Sequence, residues 1–174
     1  MEYGFDSPRY REFPPMIYVS IVNICNLNCI HCHYPTFAKQ PDWKANMMPW
    51  EYWAKLCDEM GEYPWSILNL GTDGEPLVHK KFIDMMRYAK QRGIQWTNIT
   101  TNGLLIQGEK AEIIIKEGLL DVINVSHDSI SKEGYKRIRG GDYDRLVRNT
   151  LNLVELRDKF NPNVKIQVNM IDQP

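Results

Sequence analysis

The residues of this chain that are best suited to chemistry are three cysteines within eight positions, Cys25, Cys29 and Cys32. Cysteine thiolates are the usual protein ligands of iron-sulfur clusters, and this Cys-x-x-x-Cys-x-x-Cys run can supply three of them. A four-iron cluster held by only three thiolates keeps one iron without a protein ligand, and a substrate or cofactor can bind there. The spacing therefore predicts a metal centre with an open coordination position.

Two other interpretations of the cysteines stay open at this point. Positions i, i+4 and i+7 share one face of a helix, where free thiols pack as small apolar side chains. Asn26, Asn28 and Pro35 disfavour such a helix. A zinc site could take its fourth ligand from His31 or His33, but structural zinc sites usually draw paired ligands from two separated segments.

The elements that must position these residues follow a βαβ pattern, because apolar runs alternate with amphipathic stretches. We predict strands over residues 16–23, 66–70, 94–100, 121–126 and 164–171. We predict helices over residues 48–60, 79–92, 108–117 and 142–160. The fourth cysteine, Cys57, lies on the apolar face of the first of these helices, so we expect it to be a core thiol.

Strand polarity favours a partial barrel over a doubly wound sheet. Parallel strands covered on both faces are nearly continuous in Val, Ile and Leu, whereas most strands predicted here carry a polar residue: Asn69, Asn98, Asn124, Ser126, Gln167 and Asn169. A closed eight-stranded barrel takes about 250 residues. We therefore expect one α/β domain over residues 1–174, an open parallel (β/α) barrel of about five strands. Residues 1–15 form an N-terminal extension, and we expect the barrel to be truncated at its C-terminus.

The other unusual segments each follow a predicted strand. Gly71 to Pro76 follows the second strand, Thr101 to Gly103 the third, and Ser126 to Ser129 the fourth. The carboxyl ends of parallel strands meet at one edge of a sheet, where the sites of βα folds lie. We therefore expect these loops and the cysteine run to converge on one rim.

The cysteine run and the loop Asp73-Gly74-Glu75-Pro76 together resemble the core domain of radical S-adenosylmethionine (radical SAM) enzymes of the SPASM type, over nearly the whole chain. In that family the cysteines bind a [4Fe-4S] cluster, and a Gly-Gly-Glu-Pro motif binds the amino group of S-adenosylmethionine. Asp73 departs from the first glycine of that motif. A Gly-rich turn with a carboxylate suits an ammonium group, because it exposes backbone carbonyls and allows close approach.

The resemblance implies further contacts with S-adenosylmethionine. His31 fills the position before the last cysteine, where an aromatic residue commonly packs near the adenine. Ser126 matches a polar residue that touches the ribose or carboxylate, and Arg137 and Arg139 resemble a basic segment that contacts the carboxylate. The residues assigned to the cofactor are His31, Asp73, Gly74, Glu75, Pro76, Asn102, Ser126, Asp128 and Arg139. No catalytic side chain is assigned.

The function that the resemblance implies is reductive cleavage of S-adenosylmethionine to a 5'-deoxyadenosyl radical, which abstracts hydrogen from a peptide, sugar or small metabolite. An electron donor such as flavodoxin or ferredoxin is the expected partner. The alternative is a non-catalytic cysteine-rich module that holds zinc or an iron-sulfur cluster in a larger assembly. The loop with Gly74 and Glu75 favours the enzyme, because a structural metal site has no use for it.

The net charge and the hydropathy of the chain argue against two classes of partner, nucleic acids and membranes. The 21 basic and 22 acidic residues give a net charge of -1, without the basic surface that nucleic acids or anionic membranes attract. No apolar run approaches the ~20 residues that cross a bilayer, and residues 1–6 lack the features of a signal peptide. We expect a cytoplasmic protein with reduced thiols and with no nucleic-acid or membrane partner.

Overall fold

The computed structural model describes residues 7–171 and contains one parallel sheet of five strands. The strands are β1 (Met16–Val19), β2 (Ile67–Leu70), β3 (Trp96–Thr101), β4 (Val122–Ser126) and β5 (Lys165–Asn169). They lie side by side in sequence order, and each neighbouring pair is parallel. Two parts of the sequence-based prediction lie outside the described residues: positions 1–6 of the N-terminal extension, and positions 172–174 at the expected truncation.

Helices connect the strands and cover one face of the sheet. They are α1 (Arg9–Glu12), α2 (Tyr34–Phe37), α3 (Trp50–Met60), α4 (Phe82–Gln91), α5 (Gly108–Lys116), α6 (Lys132–Arg139) and α7 (Tyr143–Phe160), with a 3-10 helix at Pro76–Val78. No helix within residues 7–171 is long and apolar enough to cross a membrane.

The order of the strands decides between the two architectures that the sequence left open. Right-handed crossovers that all step in one direction place their helices on the same face. Burial agrees, because Leu68, Ile99 and Ile123 are completely buried, whereas Asn69 and Asn98 on the opposite face are half-buried. The sheet is therefore the wall of an open barrel, as predicted, and a doubly wound arrangement is excluded.

Helix α3 supplies much of the packing beneath the first strands. Its buried residues are Trp53, Cys57 and Met60, and the Trp53 indole Nε1 donates a hydrogen bond of 2.8 Å to the Met85 carbonyl of α4. The prediction that Cys57 is a core thiol is confirmed, since its side chain is inaccessible to solvent. Burial raises the pKa of Cys57 to about 12.

The first strand is shorter than predicted. It ends at Val19, and the chain at residues 20–23 pairs with residues 46–48 instead of β2. The Met48 amide donates to the Ile21 carbonyl at 2.8 Å, and the Asn23 amide donates to the Asn46 carbonyl at 3.2 Å. Through this antiparallel contact, the segment that follows the cysteine loop lies against the chain at the end of β1.

Helix α6 was not predicted, although its ends carry recognisable signals. The Ser131 hydroxyl accepts a hydrogen bond of 3.0 Å from the Gly134 amide, as an N-cap does. Gly140 ends the helix in the left-handed conformation, with a φ of 74°. The predicted helix over 79–92 was also too long, because a 3-10 helix precedes α4, which begins at Phe82.

Replacing Trp53 with alanine should lower the free energy of unfolding by about 3 to 5 kcal/mol, because it leaves a large cavity in the core. Tyr52 is the matched control, since it neighbours Trp53 but is 64% exposed. Its alanine variant should stay within about 0.5 kcal/mol of the parent. Urea denaturation followed by circular dichroism measures both, and equal losses would contradict the assigned core.

Candidate functional site

The three cysteines lie in the loop that follows β1, and all three line one cleft of about 290 Å³ at the carboxyl edge of the sheet. Residues 25–32 contain no helix, so the interpretation of the run as a helical face is wrong. Cys25 is half-buried, Cys29 is buried and Cys32 is exposed, and all are free thiols. Within residues 7–171, no three His, Cys, Asp or Glu side chains are grouped closely enough to hold one metal ion.

Burial makes two of these thiols poor acids. It raises the pKa of Cys25 to about 11, and it raises the pKa of Cys29 from its ordinary value although the Arg139 guanidinium opposes the shift. Only the thiolate is a metal ligand. Binding of a metal centre must therefore displace protons from these side chains.

Most of the predicted cofactor residues line the same cleft. They are His31, Gly74, Glu75, Asn102, Ser126 and Arg139. The cleft also includes residues that were not assigned to it: His33, Gly71, Thr72, Thr100 and Thr101. Three of these additions, Gly71, Thr72 and Thr101, lie in loops that the sequence analysis did single out. The expected convergence of loops from different strands on one rim is confirmed.

Glu75 is 2% exposed and already holds the loops of two strands together. Its Oε1 accepts from the Thr101 hydroxyl at 2.7 Å and from the Leu77 amide at 3.2 Å, and its Oε2 accepts from the Asn102 amide at 2.7 Å. Burial raises the pKa of the Glu75 carboxyl, while these donors favour its charged form. A carboxylate has about four acceptor positions, so one remains after the three contacts.

Gly74 brings the loop after β2 against the chain that leads into the cysteines. Its φ is 66°, and a Cβ at this position would lie 2.4 Å from the Ile24 carbonyl oxygen. The next amide, that of Glu75, donates to the same oxygen at 2.8 Å. Only glycine permits this approach, which places the second loop directly beside Cys25.

Asn102 links the third strand to the cysteine loop. It is 5% exposed, and its Nδ2 donates to Asn26 Oδ1 at 2.8 Å. Its Oδ1 accepts from the Leu104 amide at 3.1 Å. With its backbone amide on Glu75, Asn102 contacts both of the other loops at once.

Asp128 and Arg139 form a buried ion pair behind the cysteines. Arg139 Nε lies 2.6 Å from Asp128 Oδ2, and Arg139 Nη1 lies 3.7 Å from the Cys29 sulfur. Asp128 has a left-handed φ of 53° and does not line the cleft, and its predicted contact with the cofactor stays a prediction. His31 Nε2 is 3.7 Å from the same Asp128 oxygen. Arg137, by contrast, is exposed.

Two other predicted cofactor residues lie outside the cleft. The Asp73 side chain is 48% exposed and turns aside, with Oδ1 at 3.1 Å from His33 Nε2 and Oδ2 accepting from the Ser20 hydroxyl at 3.1 Å. Pro76 is buried where the 3-10 helix begins. Of this motif, only Gly74 and Glu75 line the cleft, and the cofactor contacts predicted for Asp73 and Pro76 stay predictions.

Comparison with known proteins identifies the family of this arrangement. The model of the Radical SAM superfamily matches residues 19–170. A probable GTP 3',8-cyclase of Methanococcus vannielii is 32% identical over 136 residues, which cover 75% of this chain and 42% of the relative. Fe-coproporphyrin III synthase of Methanosarcina barkeri is 29% identical over 165 residues, covering 89% and 40%. The chain thus spans about two fifths of the length of these relatives.

Solved structures share the fold. Streptococcus suis SuiB bound to S-adenosylmethionine superposes with a TM-score of 0.73 at 19% identity, covering 93% of this chain and 35% of SuiB. The enzyme anSMEcpe with bound AdoMet has a TM-score of 0.63 at 20% identity, covering 88% and 43%. Identities this low concern the fold alone. They confirm the predicted class, an α/β partial barrel of the radical SAM type.

Replacing Glu75 with glutamine should lower the free energy of unfolding by about 1 to 3 kcal/mol, even without any cofactor. The glutamine side chain has only one acceptor oxygen. Its NH2 group would face N–H and O–H donors that need an acceptor. Asp73→Asn makes the same chemical change two residues away on an exposed side chain, and it should cost no more than about 0.5 kcal/mol. Urea titration of both variants measures these changes. A Glu75→Gln protein as stable as the wild type would contradict the conclusion that Glu75 holds the two loops together.

Proposed function

The chain belongs to the radical SAM superfamily, whose cofactors are a [4Fe-4S] cluster and S-adenosylmethionine, and from that premise we propose its reaction. An electron from the reduced cluster splits S-adenosylmethionine into methionine and a 5'-deoxyadenosyl radical, which takes a hydrogen atom from a small-molecule or peptide substrate and becomes 5'-deoxyadenosine.

One observation carries the proposal. Three thiols, a buried carboxylate with one free acceptor position and a buried guanidinium line the same cleft, although they come from three separate segments. A structural metal site requires only the ligands. The additional polar groups of Glu75, Asn102 and Ser126 support a cofactor that carries an amino acid and a nucleoside.

The residues present fit an iron-sulfur cluster. Cys25, Cys29 and Cys32 would hold it, and Arg139 Nη1 already faces the Cys29 sulfur at 3.7 Å. A positive charge beside the thiolates offsets part of their negative charge in a partly buried site. One buried donor in this region, the Tyr135 hydroxyl, has no partner within residues 7–171.

The loop after β2 would hold the amino end of S-adenosylmethionine. Gly74 lies against the chain that enters the cysteine loop, so a ligand on this turn lies close to the cluster. Glu75 retains an acceptor position toward the cleft, which an ammonium group can use in a charge-assisted hydrogen bond. Ser126, at the end of β4, would contact the ribose or carboxylate, and His31 would lie beside the adenine.

The exposed side of the cysteine loop is where we place the electron donor, a small protein such as flavodoxin or ferredoxin. Cys32 and its neighbours His31 and His33 are exposed, and Ile30 is 65% exposed. An electron carrier can therefore approach one edge of the cluster without entering the cleft. The free thiols fit a reducing compartment, so the proposal includes the cytoplasm as its location.

Alanine at Cys25, Cys29 or Cys32 should abolish the cluster, because each removes one of its three ligands. After anaerobic reconstitution, iron and sulfide analysis should find four of each per wild-type chain, as a [4Fe-4S] cluster requires, and nearly none in these variants. Cys57→Ala is the control and should keep a full cluster. Zinc as the bound metal would support the alternative, a non-catalytic metal-binding module.

The reconstituted protein should convert S-adenosylmethionine to 5'-deoxyadenosine and methionine when dithionite supplies electrons. Chromatography of the products should show at least tenfold more 5'-deoxyadenosine than the Cys32→Ala variant makes, since the electron passes through the cluster. Substrate should accelerate the reaction. A protein with a full cluster and bound S-adenosylmethionine that forms no 5'-deoxyadenosine would refute the catalytic proposal.

A further inference from the structure

Helix α6 carries a buried hydroxyl that the site described above does not use. Tyr135 is completely inaccessible to solvent, and its hydroxyl has no hydrogen-bond partner within residues 7–171. Buried hydroxyl groups in folded proteins are almost always paired, because an unpaired one loses its hydration without compensation. An orphaned donor beside a cofactor site therefore indicates a partner that arrives with the cofactor.

The surroundings of Tyr135 are those of the cysteine loop. Its Cε1 atom and Leu27 Cδ2 lie 2.9 and 3.0 Å from the point where Gly141 would place a Cβ. The Ile30 amide donates to the Ile138 carbonyl of α6 at 2.9 Å. The C-terminal half of α6 is thus packed directly on residues 27–30, which include the ligand Cys29.

Arg139 lies one helical turn after Tyr135, so the two side chains share a face of α6. Both are buried, and Arg139 Nη1 already faces the Cys29 sulfur at 3.7 Å. Arg139 Nε and Nη2 lie 2.6 and 2.5 Å from Asp128 Oδ2. This face of α6 therefore carries one donor in contact with the Cys29 sulfur and a second donor, the Tyr135 hydroxyl, that is buried and unpaired within the described residues.

We propose that the Tyr135 hydroxyl donates a hydrogen bond to sulfur on the Cys29 side of the bound cluster. Together with Arg139, this donor raises the reduction potential of the cluster. Donors to cluster sulfurs stabilise the reduced form, which carries the additional negative charge. The inference rests on the proposed function only in requiring a cluster at the three cysteines. It assigns no contact between Tyr135 and S-adenosylmethionine.

The ionisation of Tyr135 is consistent with a donor role. Burial raises the pKa of the hydroxyl to about 12, and the charges of Cys29, Asp128 and Glu75 raise it further while Arg139 lowers it. The group therefore keeps its proton at neutral pH.

The test compares Tyr135→Phe with Tyr143→Phe. Tyr143 packs its ring 5.9 Å from that of Tyr135, but its hydroxyl already donates to the Ile130 carbonyl at 3.0 Å. Both variants should load full iron and sulfide. In a spectroscopic redox titration, Tyr135→Phe should show an about tenfold lower ratio of reduced to oxidised cluster at a fixed potential, a negative shift of about 59 mV for one electron. Tyr143→Phe should be unchanged.

A second measurement separates this role from simple packing. Without the cluster, Tyr135→Phe should resist urea as well as or better than the wild type, because it removes an unpaired buried hydroxyl. If Tyr135→Phe fails to load iron, 3-fluorotyrosine at position 135 keeps the ring and provides a more acidic donor, which should shift the potential positively. An unchanged potential in a fully loaded variant overturns the inference and leaves the proposed function intact. Loss of iron from the wild type itself would instead contradict the proposed function.

Discussion

The carboxylate of Glu75 is the interaction on which the rest of the site depends. A charge this deeply buried is tolerated only where donors surround it, and here the donors come from the end of β3, from the residue that follows it and from the 3-10 helix. The position of one side chain thus determines the separation of two loops. The same turn packs against Ile24 at Gly74. The carboxylate therefore also fixes the position where the cysteine loop begins.

The sequential order of the strands explains why such different residues meet. Every crossover steps in the same direction, so helices cover one face and every loop after a strand opens at the same edge. The opening of all these loops at one edge does not depend on any residue of the site. The fold provides a rim, and α6 closes one side of that rim by placing Arg139 next to Cys29.

Much of the fold was predictable, because the central strands β2, β3 and β4 and the long helices have a local period that their burial reproduces. Asn69 and Leu70 alternate as a sheet with one covered face requires. The failures have local causes as well. Helix α6 has a mean hydropathy below that of α3, α4, α5 and α7, so its charged residues resemble a solvated segment although its apolar side chains recur at helical spacing. Residues 20–23 look like a continuation of β1 but pair with a distant segment.

For the site, the sequence by itself determined which cysteines are proposed as ligands, the turn at Gly74 and the edge of the sheet where they meet, because spacing and strand polarity are properties of neighbouring residues. Only the tertiary structure decided which polar side chains turn inward. Asp73 and Glu75 are two residues apart, yet one is half-exposed and the other is enclosed by donors 26 and 27 residues away. Likewise Arg139 is buried against Asp128 while Arg137 is exposed. Burial of a charge depends on partners that folding brings from elsewhere in the chain, and no local pattern records them.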